Sequence, residues 1–473
     1  MVNLFLFLLS TVFAAEKITL SQKDVAELVL KQGPKTKEVS YKYEQSRLPL
    51  LQTTSLTDWK LLVESGYEHD RNQSLTQQED NKYERYITTV SLSKLLLSGT
   101  SLTFQLGRTS QKANVVNTTL PPQSTMDNMG LTLEQSLLGN FFGQGDRAKI
   151  AQADYTYKSN MKLRTNELQD VVLSSLQQFW NTYVAQENFR ESMATRERYE
   201  KLVSSVRRKN SLGYANPGEL SQIQAEYEGK VQEVKTASQT YLQSLDDLNT
   251  LLALPPGTEV DFIVPKELPP VPKLSEKPID NLRPLQSQNL LVSAAKEGVT
   301  VAESNRRPTL NLVGKYNATG VDDTGDKSYA ELSSGNHPKV YVGLKFQYNF
   351  GSGVLPEDIR AKKAALSLEE TKLTRIRNEL RDRILNAERR VGTTYTIAQS
   401  SMRQREFSQR AVTELTRSYN QGRTDIRFLI DAMNLLYSTE VQAIRALGDY
   451  QIALNEWAAA RDELIPDQKE ENP

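Results

Sequence analysis

Two short stretches hold most of the chemistry this chain can offer. In NSLGYANPGELSQIQ (210 to 224) the carboxylate of Glu219 follows Gly213, and in YNQGRTDIRFLIDA (419 to 432) Tyr419 and Asp431 flank Gly422. A carboxylate or a phenol with no base or nucleophile nearby does electrostatic work: it exchanges hydrogen bonds or attracts a cation. Bond-making chemistry has little to draw on. The chain has no cysteine and only two histidines, His69 and His337, which removes thiol nucleophiles, disulfides and Cys-based zinc sites. No nucleophile–base spacing, metal pattern or glycine-rich phosphate loop is present, so neither an enzyme nor a cofactor or metal is expected.

The elements that must position these residues are long helices broken near a glycine. Asn216 suits a helix N-cap, Pro217 the first helical position, and Glu219 the place of a capping-box acid. Asp431 lies between Ile430 and Ala432 inside a helical pattern, where its propensity gains nothing, and a solvated polar face would account for it. Upstream, Leu168, Val172, Leu176, Phe179 and Tyr183 recur at spacings of three and four. This narrow seam indicates coiled-coil-like packing over a helix from about 146 to 211, roughly 100 Å long. A second long helix spans about 355 to 420, and return helices cover about 217 to 253 and 424 to 462. Their seams contain Tyr241, Leu245 and Leu248 in one, and Ile426, Leu429, Met433 and Leu436 in the other.

The pattern occurs twice. Gly213 and Gly422, Leu220 and Leu429, and Tyr241 and Tyr450 each stand 209 residues apart, while FFGQG and NFGSG end 208 apart. Repeat 1 is expected over 16 to 253 with N-terminal helices, strands within about 58 to 137, and a tip at 212 to 217. Repeat 2 is expected over 279 to 462 with a helix, strands within about 308 to 350, and a tip at 421 to 424. Strict alternation marks the strands, as in LKFQYNF, where Leu344, Phe346, Tyr348 and Phe350 oppose Lys345, Gln347 and Asn349. TGVDDTGDKSYAELSSGNH reads as a polar loop inside the second hairpin, 254 to 278 as a proline-rich extended linker, and 463 to 473 as a disordered tail.

Bulk properties fit thin layers better than a thick core: the apolar fraction is 38% over 473 residues, and the mean hydropathy is −0.53. Lys+Arg and Asp+Glu both count 58, so no basic excess points to nucleic acid. The opening MVNLFLFLLSTVFAA is short, apolar and ends in small residues, which predicts a secretory signal over 1 to 15. A buried N-terminal strand is the competing reading. No later run approaches the ~20 apolar residues of a membrane helix, so an exported chain entering a membrane must do so as β-strands.

Signal, two copies of hairpin plus long helix hairpin, Phe-Gly-x-Gly at the junction and a glycine turn at the far end together resemble the TolC-like outer membrane efflux family. The residues carrying the likeness are LTLEQSLLGNFFGQGDRAKI, VGLKFQYNFGSG, SLGYANPGEL and YNQGRTDIRFLIDA. The resemblance implies an α+β membrane protein. It would be a homotrimer whose hairpins close one β-barrel in outer-membrane lipid, continued by an α-helical barrel across the periplasm. It also implies a passive exit duct for efflux or type I secretion, working with a periplasmic adaptor and an inner-membrane pump. The family norm is four strands per chain; the runs at 100 to 109 and 127 to 137 leave six open. Residue by residue, Glu219 and Tyr419 match an acid and a tyrosine that hold the periplasmic tip shut, and Asp431 matches the acid of the constriction ring. The pattern departs at Phe428, where a second acid is usual, and at Thr424, in place of the gate arginine, while Arg427 stands where it can restore part of the network. Leu212, Gly213 and Tyr214, with Gln421, Gly422 and Arg423, match the turns on which the adaptor docks. The competing function is an exported coiled-coil structural or adhesive surface protein without a pore.

Overall fold

The computed structural model describes residues 17–70, 83–113, 123–214, 216–265, 267–272, 278–351 and 353–465. The expected signal at 1 to 15 and residues 71 to 82 lie outside them. In chain order the elements are β1 (Lys17–Leu20), α1 (Gln22–Gln32), α2 (Pro34–Glu44), α3 (Arg47–Thr54), β2 (Lys60–Asp70), β3 (Tyr83–Leu95), β4 (Thr100–Ala113) and β5 (Gln123–Ser136). There follow α4 (Gln144–Ser211), α5 (Glu219–Leu252), β6 (Glu259–Phe262), α6 (Arg283–Arg306), β7 (Thr309–Asp322), α7 (Gly325–Ser334), β8 (Pro338–Gln347), α8 (Val354–Asn420) and α9 (Ile426–Ala460).

These elements form two compact units, to both of which α4 and α8 contribute. One unit contains Met161–Gln286, the chain from Arg375 onward and the segment up to Glu44. It is helical, and its interior follows the seams: Leu168, Val172, Leu176 and Phe179 are buried with Leu245, Leu248 and Leu252. A second cluster joins Tyr199, Val206, Ile223, Tyr419, Leu429, Met433 and Leu436, drawing on all four helices of the two hairpins. Arg198 of α4 reaches Glu440 of α9 through Nη2 at 2.6 Å and Nη1 at 3.0 Å, a largely buried ionic link between those helices.

The segment 254 to 278 is not a plain linker. Between its prolines, β6 pairs in parallel with β1, Lys17 opposite Glu259 through Leu20 opposite Phe262, and Val260 is buried. The tail also starts inside the fold, since Ile465 is buried and Leu464 packs on the same core; residues 466–473 lie outside the described set.

The other unit, Gln45–Asn160 and Ser287–Thr374, holds a six-stranded antiparallel sheet in the order β2-β3-β4-β5-β7-β8. Four of these strands, β2 to β5, precede α4 and two, β7 and β8, follow α6, so of the four and six strands left open by the sequence the sheet has six among the described residues. Among the described residues each edge strand, β2 and β8, pairs on one side only. The register sorts side chains by face. Leu102, Phe104 and Leu106 on β4 stand opposite Leu133, Leu131 and Met129 on β5. On β8 the same face carries Phe346, Leu344, Val342 and Val340, all exposed. The opposite face presents Thr103, Gln105, Thr132, Asn317 and Lys345. No helix among the described residues is long and apolar enough to cross a membrane.

The stretch expected to be a polar loop contains α7, which packs against β5 and β7. Polar sequence hid it: Ser328, fully buried beside Asp127, is fixed by tertiary contact and not by an apolar stripe.

Candidate functional site: the helix reversals

The two reversals stop their long helices in the same way. Tyr214 N–H donates to Lys209 O at 2.9 Å and Gly213 N–H to Asn210 O at 3.1 Å; Arg423 N–H donates to Ser418 O at 2.9 Å and Gly422 N–H to Tyr419 O at 3.0 Å. This six-to-one closure needs a left-handed residue after the helix, and Gly213 at φ 75° and Gly422 at φ 70° supply it. A Cβ at either would meet nothing within 4 Å, so glycine is there for conformation and not for space. Leu212 and Tyr214 are exposed at the first turn, as are Gln421, Gly422 and Arg423 at the second.

The return helices begin differently from expectation. Helix α5 starts at Glu219, preceded by Gly218 at φ 87°, so Asn216 and Pro217 stand outside it. The left-handed Gly218 turns Glu219 inward: only 6% of the residue is exposed. One carboxylate oxygen, Oε2, accepts the N–H of Asn216 at 2.9 Å; the other, Oε1, accepts the hydroxyl of Tyr419 at 2.7 Å. The Asn216 contact and the Tyr419 contact therefore use the two oxygens of one carboxylate. At α9 the N-cap is Asp425, whose Oδ1 accepts the N–H of Arg427 at 2.9 Å, and that bond holds its carboxyl below the usual range.

Tyr419 is clasped from three sides. Besides its bond to Glu219, its ring lies 3.6 Å from Lys209 Nζ, and its carbonyl accepts from the same ammonium at 3.1 Å. Lys209 comes from α4, Tyr419 from α8 and Glu219 from α5, so one tyrosine ties both hairpins together. Burial, and then the Glu219 bond, raise the Tyr419 phenol above its ordinary range, keeping it a donor. Sequence reasoning missed Lys209, because no spacing signals a cation over a ring about 210 residues away.

Helix α9 divides its residues sharply. Ile426, Leu429, Ile430, Met433 and Leu436 are buried, whereas Arg427, Phe428, Asp431 and Leu435 are exposed. Phe428, Asp431 and Leu435 follow one another along one face. Thr424 is half-buried ahead of the helix. Arg427 lies 3.4 Å from Asp425 beside the cap, with most of its side chain exposed. The structure thus brings Glu219 and Tyr419 into contact and places Asp431 and Phe428 on a separate exposed face.

The two histidines serve local pairs, His69 beside Glu84 at 3.7 Å and His337 beside Glu331 at 3.3 Å. Among the described residues no cluster of three or more His, Asp or Glu is arranged to hold a metal.

No protein-family profile and no curated protein sequence matches the chain. Solved structures do. CmeC, an outer membrane channel of Campylobacter jejuni, superposes with a TM-score of 0.70 at 14% identity, covering 95% of this chain and 87% of that one. CusC, studied for folding and transmembrane channel formation, gives 0.69 at 13% identity, covering 93% and 91%. This chain has the TolC-like outer-membrane channel fold. The open-state MtrE channel of Neisseria gonorrhoeae repeats the likeness, with a TM-score of 0.67, 14% identity and coverage of 94% and 89%. At such identities the TolC-like fold is what is shared, and side-chain roles rest on the contacts above.

Proposed function

We propose that three copies of this chain form an outer-membrane exit duct for a tripartite efflux or type I secretion system. In this reading the chain is a passive channel, closed at rest at its periplasmic tip and opened by an adaptor and an inner-membrane pump. The observation that carries it is the sheet, with one apolar exposed face, one polar face and two edges that are unpaired among the described residues. In lipid an open edge leaves backbone groups unsatisfied, so β2 of one copy must pair with β8 of the next until the ring closes. Six strands from each of three copies make an eighteen-stranded barrel with the polar face lining the lumen. The structural neighbours CmeC and MtrE are outer membrane channels, which supports the same location for this sheet, with the long helices in the periplasm.

The tip contacts support a gate assignment. Lys209, Tyr419 and Glu219 hold each protomer's hairpins together, while Asp431 and Phe428, on the exposed face of α9, line the aperture between copies. Three carboxylates around one axis attract cations, and three phenyl rings narrow the path without charge. The exposed turns at Leu212–Tyr214 and Gln421–Arg423 offer the docking surface for an adaptor. A coiled-coil surface stalk would use the helices but has no need of a two-faced sheet.

Planar bilayers test this. Purified protein should give discrete, cation-selective steps of low resting conductance. Protein that inserts without conductance would favour the stalk.

A further inference from the structure

The apolar face of the sheet stops abruptly. Moving away from the helices along β4, Leu102, Phe104 and Leu106 give way to Arg108; along β5, Leu133, Leu131 and Met129 give way to Asp127, its register partner. Arg108 Nε donates to Asp127 Oδ1 at 2.7 Å and Nη2 to Oδ2 at 3.0 Å. This ion pair lies on the face assigned above to lipid, and α7 covers it. Ser328 Oγ accepts the N–H of Asp127 at 3.0 Å and lies 2.9 Å from Gly320 O, while Arg108 Nη2 donates to Gly325 O at 3.3 Å. The helix sits so close that a Cβ on Gly320 would meet Ser328 O at 2.1 Å.

The register also shows what α7 replaces. One step beyond Arg108 on the same face, β2 and β3 carry Tyr67 and Tyr86, exposed and 4.9 Å apart, whereas β4, β5 and β7 carry Ser110, Thr125 and Asp322 there. Over those three strands the exposed aromatic comes from α7, as Tyr329, 62% exposed. At the helix-proximal end of the sheet, Trp59, Phe141, Phe142 and Phe350 are exposed in turn. Two aromatic levels bounding an apolar band are what a bilayer's interfaces select.

We infer that α7 is an interfacial helix on the outside of the barrel, clamped by Arg108, Asp127 and Ser328 so that Tyr329 sits among the headgroups of the outer leaflet. Its outward residues fit that depth: Asp326, Lys327 and Ser333 stay hydrated while the tyrosine ring bridges apolar and wet layers. The inference rests on the lipid-facing assignment of the apolar face.

The chain lacks cysteine, so single sites can be spin-labelled in the otherwise unaltered chain. Tyr329→Cys, Leu344→Cys and Gln105→Cys proteins would be reconstituted in phosphatidylethanolamine–phosphatidylglycerol vesicles, and collision rates with oxygen and with a neutral nickel chelate measured. The expected order of nickel accessibility is Gln105 highest, Tyr329 several-fold lower and Leu344 lowest, with oxygen reversed. A label at 329 as nickel-accessible as at 105 would put the helix in water, and one as protected as at 344 would put it in hydrocarbon; either overturns the inference. If the label at 344 is itself freely nickel-accessible, the lipid-facing assignment fails first.

Discussion

Tyr419 concentrates the tip's stability in one side chain. Its hydroxyl is a donor to a carboxylate that is almost wholly buried, so Tyr419→Phe leaves Glu219 Oε1 without that partner. An unsatisfied buried acceptor costs about 1–3 kcal/mol, and the variant should show a higher basal conductance with the trimer intact. Lys209→Gln removes a ring contact and a carbonyl cap, together about 1–2 kcal/mol, and should loosen the same closure. Because both act on one tyrosine, the double variant should open little more than the worse single variant. Additive effects in paired conductance measurements would separate the two contacts. The pH response has a definite sign. The phenol is raised by burial and by Glu219, so its contribution is complete below the ordinary tyrosine value of about 10 and is lost only as pH rises through the higher folded value. Resting conductance should therefore not change through this bond between neutral pH and about pH 9. On the exposed face, Asp431→Ala should reduce cation selectivity and block by multivalent cations, and Phe428→Ala should widen the pore whatever the charge does. Wild-type reversal potential and block in Asp431→Ala would take that carboxylate off the aperture.

At the scale of elements, the reversals and the seams explain why some of the fold was legible and some was not. Leu168 to Phe179 announce a helix because one period fixes both their spacing and their burial. The tips were legible because a left-handed stop demands a residue such as glycine, and the same stop recurs at Gly213 and Gly422. Helix α7 gave no such signal: its anchor is a serine, and its partner Asp127 is distant in sequence. Strand β6 was hidden because prolines flank the four residues that pair with β1. At the tip, Glu219 was legible as a cap from its spacing, whereas its pairing with Tyr419 was legible only through the family resemblance, because no local pattern shows that Gly218 turns the carboxylate inward. Replacing Gly213 or Gly422 by valine forces a β-branched residue into the left-handed region, at about 1–2 kcal/mol. Nothing lies near either Cβ, so the cost should fall on the turn, and pull-down of the adaptor should weaken more than trimer recovery. Full adaptor binding by both variants would remove the tips as the docking surface.

For the whole molecule, the edges of the sheet, β2 and β8, unpaired among the described residues, set the requirement that matters most. Barrel diameter grows roughly linearly with strand number, so in the proposed trimer eighteen strands would give a ring about half again as wide as twelve. The claim that three copies close this ring through β2 and β8 is open to one direct measurement. Val63 on β2 and Val342 on β8 are both exposed on the apolar face, and the natural chain has no cysteine to interfere. Val63→Cys and Val342→Cys introduced together and treated in native membranes with a short bis-maleimide should give linked dimers and trimers on a denaturing gel, with nothing larger. Either single variant alone should give no trimer. Exclusively monomeric product, or a ladder running past three, would contradict the pooled barrel and with it the duct.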